Sequence, residues 1–277
     1  MRISAKEFLE SPNKPITLLG MSGVGKTTLA NKLPKSKWFH YSGDYRIGTK
    51  YLAEPILDNI KKQAMEVDFL RDLLRSDSIY IASNITVDNL SPVSSFLGKI
   101  GVEKLGGISL GEFKQRQALH KEAEIGAMKD VVKFLDKAKK IYGYDHFIND
   151  AGGSICEIDE NTSNLLAKHT IILYLKADQN MEEKIIERAK KSPKPMYFND
   201  KFLDIELGNY LKENKIDSPD KIIPDEFSRW IFPKLISYRK PIYEKFSDKY
   251  GYTIDAHEAS KVATEEQFIE LIASALK

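Results

Sequence analysis

Short apolar runs recur along the chain, and stretches with helical spacing separate them. The first run is Ile16-Thr17-Leu18-Leu19, and residues 27–33 follow it in helical phase until Pro34 ends the pattern. Four further runs have the composition of buried strands, at 38–41, 146–149, 170–175 and 252–255. Five short strands separated by helices predict an α/β fold with a five-stranded parallel sheet and helices on both faces. The run at 79–81 fits a strand or a helix equally well.

Two long gaps separate the predicted strands, and both must hold additional helices. In the first gap, Ser91-Pro92 is typical of an N-cap followed by proline at the first helical position, with Gly101 as the stop. Ser109-Leu110-Gly111-Glu112 has the pattern of a capping box and predicts a long helix that ends near Gly143. The predicted sheet therefore carries helical insertions.

Net charge, cysteine content and the distribution of apolar residues limit the classes of function that the chain can have. The net charge is only +2 at pH 7, with acidic and basic residues mixed along the chain, so no global field favours duplex nucleic acid or a membrane surface. Cys156 is the only cysteine, which excludes an internal disulfide and is typical of a reducing compartment. Residues 1–14 lack the apolar stretch of a signal peptide, and no run of about 18 apolar residues occurs. We therefore expect a cytoplasmic protein without a membrane partner.

The segment after the first predicted strand has the pattern of a phosphate loop. Gly20-Met21-Ser22-Gly23-Val24-Gly25-Lys26-Thr27, followed by Thr28, matches G-x-x-x-x-G-K-[ST]. Its glycines let several backbone N–H groups point at one phosphate, and the following helix adds the positive end of its dipole. We expect Lys26 to contact the β- and γ-phosphates and the Thr27 hydroxyl to bind Mg²⁺. The sequence thus predicts a nucleotide site, and the lack of a well-placed N-K-x-D-like guanine motif favours ATP.

Insertions into a nucleotide-binding core usually carry the second-substrate site and a lid. We therefore predict a single domain over residues 1–277. Within it, we expect a helical acceptor-binding insertion at 48–143 and an expanded helical lid at 181–245.

Two aspartates follow predicted strands and suit the chemistry around such a nucleotide. Asp44 comes after the second strand and Asp150 after the third, and open parallel sheets bind ligands at the carboxyl ends of their strands. Phosphoryl transfer needs a carboxylate near Mg²⁺ and a group that orients or deprotonates the acceptor hydroxyl. We assign Asp44 to both tasks and Asp150 to the metal, with a turn or N-cap role as the alternative for each. Gly152-Gly153 would let a substrate approach the backbone.

Together these residues resemble the shikimate kinase-like group of P-loop small-molecule kinases. Ser42-Gly43-Asp44 stands where those kinases keep an acidic residue for the acceptor hydroxyl, and Ala151-Gly152-Gly153 looks like their glycine-rich segment beside the acceptor. Glu187-Arg188 is similar to their lid pattern, and Arg239-Lys240-Pro241-Ile242-Tyr243 to their arginine-led helix. The resemblance implies a three-layer P-loop NTPase fold that uses ATP and Mg²⁺. It also implies that Arg188 contacts the ATP phosphates and that Arg239 contacts the acceptor.

The chain departs from that group in the lengths of its acceptor and lid regions. Both are expanded, so we do not expect shikimate itself as the acceptor. The group's acceptor-domain arginine has no single counterpart, and four candidates stay open: Arg46, Arg71, Arg75 and Arg116. The last is the most interesting, because Arg116, His120 and Glu124 recur at i, i+4 and i+8 on one helix face. We nevertheless interpret this stripe as a solvated face with charge pairs.

Arginines that neutralise the moving phosphoryl group supply much of the catalysis in such enzymes. Arg188 and Arg239 are the candidates for this catalytic role. An ordinary surface ion pair is the alternative for each.

The sequence therefore predicts an ATP- and Mg²⁺-dependent phosphotransferase that moves the γ-phosphoryl group to a small-molecule acceptor. Two alternatives stay open. A regulatory P-loop ATPase would hydrolyse ATP without a metabolite acceptor. A kinase for nucleic-acid ends would use the basic segment 190–194, although the near-neutral net charge disfavours a nucleic-acid partner. The sequence indicates neither the acceptor's identity nor an oligomeric state.

Overall fold

The computed structural model describes residues 1–276 and contains one sheet surrounded by helices. The strands are β1 (Pro15–Leu19), β2 (Trp38–Ser42), β3 (His146–Asp150), β4 (Ile171–Lys176) and β5 (Gly251–Asp255). The helices are α1 (Ala5–Glu10), α2 (Lys26–Asn31), α3 (Gly43–Arg46), α4 (Ala53–Met65), α5 (Asp68–Arg75), α6 (Ser91–Leu97), α7 (Leu110–Lys140), α8 (Glu160–His169), α9 (Gln179–Lys191), α10 (Asp200–Glu213), α11 (Pro224–Tyr250), α12 (Ala256–Lys261) and α13 (Glu265–Ala275). A π-helical turn lies at Ile47–Tyr51, and 3₁₀ turns lie at Glu103–Leu105, Ile155–Glu157 and Pro219–Lys221.

The strand β1 occupies the centre of the sheet. The strand order is β2-β3-β1-β4-β5, and every neighbouring pair is parallel. The chain leaves β1 toward β2 and β3 on one side and later adds β4 and β5 on the other, so the direction of winding reverses beside β1, where such sheets bind ligands. The register places Asp150 at the end of β3 beside Leu18 of β1 and Ser42 of β2. The predicted five-stranded parallel sheet is confirmed.

Helices cover the sheet on both faces, as predicted. α8 packs on α7 and α11, whereas α13 packs on α1 and α12, and β5 contacts α11 as well as α13. Between these layers, β1 is buried from Ile16 to Leu19, and Tyr174 of β4 stacks on Tyr243 of α11 with ring centroids 5.1 Å apart. The result is a three-layer α/β core. Within residues 1–276 no helix is both long enough and apolar enough to cross a bilayer.

Parts of both predicted insertions belong to the layers of the sheet. α7 contacts β2 and β3, and the Tyr41 hydroxyl of β2 donates a hydrogen bond of 2.6 Å to Ala127 O of α7. The second half of α11 also packs on the sheet, where Tyr243 and Phe246 join the main core. A second apolar cluster lies apart from that core and combines α10 with the first half of α11. The segments that stand away from the sheet are therefore shorter than 48–143 and 181–245.

Several predicted boundaries shift in the structure. Residues 79–81 form neither a strand nor a helix. α6 begins at Ser91 itself and ends before Gly98, so Gly101 is not its stop. α7 begins after Ser109 as predicted, and Ser109 Oγ accepts the backbone N–H of Glu112 at 3.3 Å. The Glu112 carboxylate does not close the capping box, because it binds Arg116 at 2.5 Å.

Candidate active site

The phosphate loop connects β1 to α2 at the centre of the sheet edge. Gly20 has φ +149°, and a Cβ there would lie 2.9 Å from Leu175 O, so a larger residue does not fit this turn. Gly25 caps α2 with a left-handed φ of +104°. Lys26 begins α2, and its Nζ donates hydrogen bonds to the carbonyls of Gly20 (2.7 Å) and Met21 (3.2 Å). The ammonium group therefore lies within the curl of the loop.

Residues of the loop divide between the core and the solvent. Met21 and Val24 are buried, so only their backbone groups are available to a ligand. The exposed positions are Ser22, Gly23, Thr27 and Thr28. Burial lowers the pKa of Lys26, and the nearby Asp150 and Asp44 carboxylates oppose this effect. A phosphate bound on the exposed side of the loop would contact the Lys26 ammonium group, which is largely shielded from water.

The Thr27 hydroxyl lies against the end of β3. It donates a hydrogen bond of 2.5 Å to Asp150 Oδ2, and His40 Nε2 lies 3.8 Å from the same oxygen. No cluster of three or more His, Cys, Asp or Glu side chains suitable for a metal occurs in the described part of the chain. Mg²⁺ does not require one, because it retains several waters and binds through one or two protein oxygens together with substrate phosphates. The adjacent hydroxyl and carboxylate fit such an ion.

Two carboxyl groups approach each other above Gly152. A Cβ at this position would lie 2.7 Å from Glu124 Oε1 and 3.0 Å from Asp44 Oδ1, so a side chain would collide with both. Burial, reinforced by the charge of Asp150, raises the pKa of Asp44 to about 6. Burial also raises the pKa of Glu124 to about 7, although Ser154 Oγ donates a hydrogen bond of 2.7 Å to its carboxylate. Carboxyl groups with such pKa values are suited to proton transfer near neutral pH.

Arg188 and Arg239 reach this region from different helices. Arg188 of α9 is exposed, and its Nη2 donates a hydrogen bond of 3.3 Å to Gly23 O, which places the guanidinium over the phosphate loop. Arg239 of α11 is buried. Its Nε donates to Glu157, and its Nη2 donates to Tyr197 O at 3.0 Å. Arg188 therefore lies over the phosphate loop, whereas Arg239 is fixed in a wall of the cavity.

A cavity of about 820 Å³ connects these groups. Gly23 and Arg188 line it at the phosphate loop, and Asp44, His120 and Arg239 also line it. Much of the remaining wall comes from residues 191–197, which contain two prolines, and from α6 with the connection before it. The structure thus brings the phosphate loop, Asp44, Gly153 and both predicted arginines to one cavity.

Arg46 and Arg116 do not reach that cavity, and the structure gives no support to their predicted acceptor roles. Arg46 Nη2 lies 2.8 Å from Asp130 Oδ2. Arg116 donates a hydrogen bond of 2.6 Å to Phe96 O and binds the Glu112 carboxylate. Both guanidinium groups therefore neutralise carboxylates elsewhere in the fold. The other two candidates, Arg71 and Arg75, lie on α5 and also do not line the cavity.

The polar stripe on α7 is buried, which corrects the predicted solvated face. Arg116, His120 and Glu124 are only 7%, 6% and 2% exposed. The His120 imidazole stacks on Tyr197 with ring centroids 5.4 Å apart. Burial, with a smaller contribution from the Arg239 charge, lowers the pKa of His120 to about 4. The helical repeat drew attention to these positions, but only the packing of α7 shows that His120 lines the cavity and that Glu124 lies beside Asp44 at Gly152.

No family model and no curated protein matches the chain. Among solved structures, the chain is similar to the shikimate kinase from Bacteroides thetaiotaomicron, with 14% identity, a TM-score of 0.39, and 95% of this chain and 94% of that chain covered. It is also similar to the shikimate kinase from Acinetobacter baumannii in complex with shikimate, with 17% identity, a TM-score of 0.40, and 98% and 97% of the two chains covered. The chain's own parallel sheet and the loop between β1 and α2 define its fold class.

Proposed function

We propose that the chain is an ATP- and Mg²⁺-dependent kinase that transfers the γ-phosphoryl group to a hydroxyl of a small molecule. The observation that carries the proposal is the continuous cavity between the phosphate loop and Asp44. Hydrolysis requires only room for a water beside the γ-phosphate, whereas transfer requires room for a second substrate in line with it. The cavity volume of about 820 Å³ lies within the range of roughly 300–1,000 Å³ that small-molecule sites occupy.

Each polar group at the cavity has a task in this reaction. Lys26 and the backbone N–H groups of the loop bind phosphate oxygens, and Arg188 neutralises charge on the transferred group. Asp44 orients the acceptor hydroxyl and accepts its proton, since its pKa of about 6 leaves it mostly ionised at pH 7. Gly152 lets the Asp44 and Glu124 carboxyl groups lie close to the backbone, and Gly153 lines the cavity beside Ser22 of the loop.

Thr27 and Asp150 would hold Mg²⁺, because their oxygens lie side by side at the phosphate loop. When bound, Mg²⁺ neutralises charge on the β- and γ-phosphates. Asp44 was a further candidate for the metal. Its oxygen faces Gly152 beside Glu124, and we therefore place it with the acceptor.

Acceptor-dependent ADP release tests the proposal. The purified chain is incubated with Mg²⁺, ATP and pools of hydroxylated metabolites, and phosphorylated products are sought by mass spectrometry. We expect at least one pool to accelerate ADP release by about tenfold or more, and Asp44→Asn to abolish that acceleration. ADP release that no pool accelerates, without a phosphorylated product, would indicate a simple ATPase and contradict the proposal.

A further inference from the structure

The wall of the cavity around Asp44 carries several polar groups, which we call the acceptor pocket. Asp44, His120 and Arg239 line it directly. Behind them, Glu124 lies next to Asp44 at Gly152, and Glu157 is bound to Arg239. These five residues come from four separate parts of the chain, and α7 and α11 hold three of them in rigid positions.

Three polar atoms of this pocket are buried without a hydrogen-bond partner among the described residues. They are His120 Nδ1, Glu124 Oε1 and Glu157 Oε2. All three side chains are more than nine-tenths buried. A buried polar atom that lacks a partner costs about 1–3 kcal/mol, so folded proteins rarely leave several of them together. His120 lines the cavity and Glu124 lies beside the cavity-lining Asp44, so a ligand there, or ordered water, would supply the missing hydrogen bonds.

A hydroxyl group matches the two unpartnered atoms on α7. His120 and Glu124 are four residues apart and therefore lie on the same face of the helix. The ionised Glu124 carboxylate only accepts hydrogen bonds, its protonated form can also donate one, and a neutral imidazole offers one donor and one acceptor. A hydroxyl both donates and accepts, so it can pair with His120 and with either protonation state of Glu124, whereas a carboxylate ligand cannot pair with the ionised form and an ammonium ligand cannot accept from His120.

The charges of the acceptor pocket oppose an anionic ligand. Asp44, Glu124 and Glu157 provide three carboxyl groups, and Arg239 provides the only guanidinium. That guanidinium is already bound to Glu157 and to the Tyr197 carbonyl. The other cations that line the cavity, Arg188, Lys191 and Lys194, come from α9 and the segment that follows it. A carboxylate or phosphate held against Asp44, Glu124 and Glu157 would therefore be repelled by their charges.

We propose that the acceptor is a polyhydroxylated molecule that brings no anionic group into this pocket. One hydroxyl is phosphorylated at Asp44, and a second hydroxyl binds to His120 and Glu124. The inference rests on the proposed kinase function and defines the class of its acceptor. His120 and Glu124 thereby determine specificity, because they recognise a hydroxyl that does not react.

Matched pairs of acceptors test the inference. ADP release is measured with neutral polyols and sugars of three to seven carbons and with the acids of the same carbon chains, for example D-glucitol against D-gluconate and D-glucose against D-glucuronate. We expect kcat/KM for the neutral member to exceed that for its acid by about tenfold or more. If the acids are the better acceptors, the inference fails while the kinase function stands. If neither series accelerates ADP release but another pool of hydroxylated metabolites does, the inference fails while the kinase function stands. If no pool accelerates it, both fail.

An isosteric variant separates acceptor binding from nucleotide binding. Glu124→Gln retains the size of the side chain but replaces one acceptor oxygen by a donor, so we expect KM for the preferred polyol to rise about tenfold, with a much smaller change in KM for ATP. The matched control is Glu122→Gln on the exposed face of α7, which should change neither KM. An unchanged KM for the polyol in Glu124→Gln would overturn the assignment.

Discussion

The Thr27 hydroxyl and Asp150 Oδ2 lie 2.5 Å apart, although 123 positions separate the two residues in sequence. One belongs to the first turn of α2 and the other to the end of β3, so the contact exists only because β3 pairs with β1 in parallel register. The contact places the hydroxyl of the phosphate loop and the carboxylate oxygen close enough together to bind one Mg²⁺ ion. The sheet therefore brings together the two protein groups that would hold Mg²⁺.

Replacing Thr27 tests this role directly. Thr27→Val keeps the shape of the side chain but removes the hydroxyl, and we expect kcat to fall by about 100-fold and the Mg²⁺ concentration for half-maximal rate to rise. Thr27→Ser retains the hydroxyl and should lose less than about tenfold. The measurement is a magnesium titration of the steady-state rate for both variants. Equal losses in the two variants would show that the hydroxyl has no part in metal binding.

Arg188 should affect turnover without affecting stability. Its guanidinium is exposed and contacts only backbone carbonyls, at Gly23 and at Lys184, so Arg188→Ala should change the free energy of unfolding by less than about 0.5 kcal/mol. An arginine that neutralises a transferred phosphoryl group contributes about 10³-fold or more to kcat, and we expect a loss of that order. Lys184→Ala, an exposed position on the same helix, is the control. If both variants retain full activity, Arg188 has only a surface role.

The buried carboxyl of Glu124 should make stability depend on pH. Its pKa in the folded protein is about 7, above the ordinary value of 4.5, so folding favours the protonated form. This contribution is complete below pH 4.5 and is lost as the pH rises from 4.5 through 7, because the unfolded chain then ionises more readily. Glutamine cannot ionise, so Glu124→Gln should gain stability relative to the parent chain by an amount that grows by about 3 kcal/mol between pH 4.5 and pH 8.

Urea unfolding at pH 5 and pH 8 measures this difference. The Glu122→Gln variant, at an exposed position of the same helix, is the control for the substitution itself. A Glu124→Gln offset that does not change with pH would mean that the Glu124 carboxyl titrates normally in the folded protein.

Local sequence patterns were sufficient for the sheet and the phosphate loop, because both depend on the order of residues over short stretches. The eight residues from Gly20 to Thr27 fix the loop by backbone geometry alone, and apolar runs located all five strands. The meeting of Asp150 with the loop follows from a general property of parallel sheets. These parts of the site required no knowledge of distant packing.

The acceptor pocket depends on tertiary packing, and the sequence described it less well. His120 and Glu124 occupy a polar helical stripe that reads like a solvent-facing surface, yet α7 buries that stripe beside Gly152. Arg46 looked available to an acceptor, but Asp130 binds it from 84 positions away. Periodicity identifies which residues share a helix face, but it does not indicate whether that face meets water or protein.

Nucleotide binding at the phosphate loop is the central claim, and isothermal titration calorimetry with Mg²⁺ and ATP tests it most directly. We predict saturable binding of one nucleotide per chain, a loss of affinity of about 100-fold or more in Lys26→Met, and unchanged affinity in Lys35→Met, which alters an exposed lysine beyond α2. Circular dichroism should show that all three proteins are folded. Absence of binding heat in the parent chain, or equal affinity in the parent chain and Lys26→Met, would contradict the account.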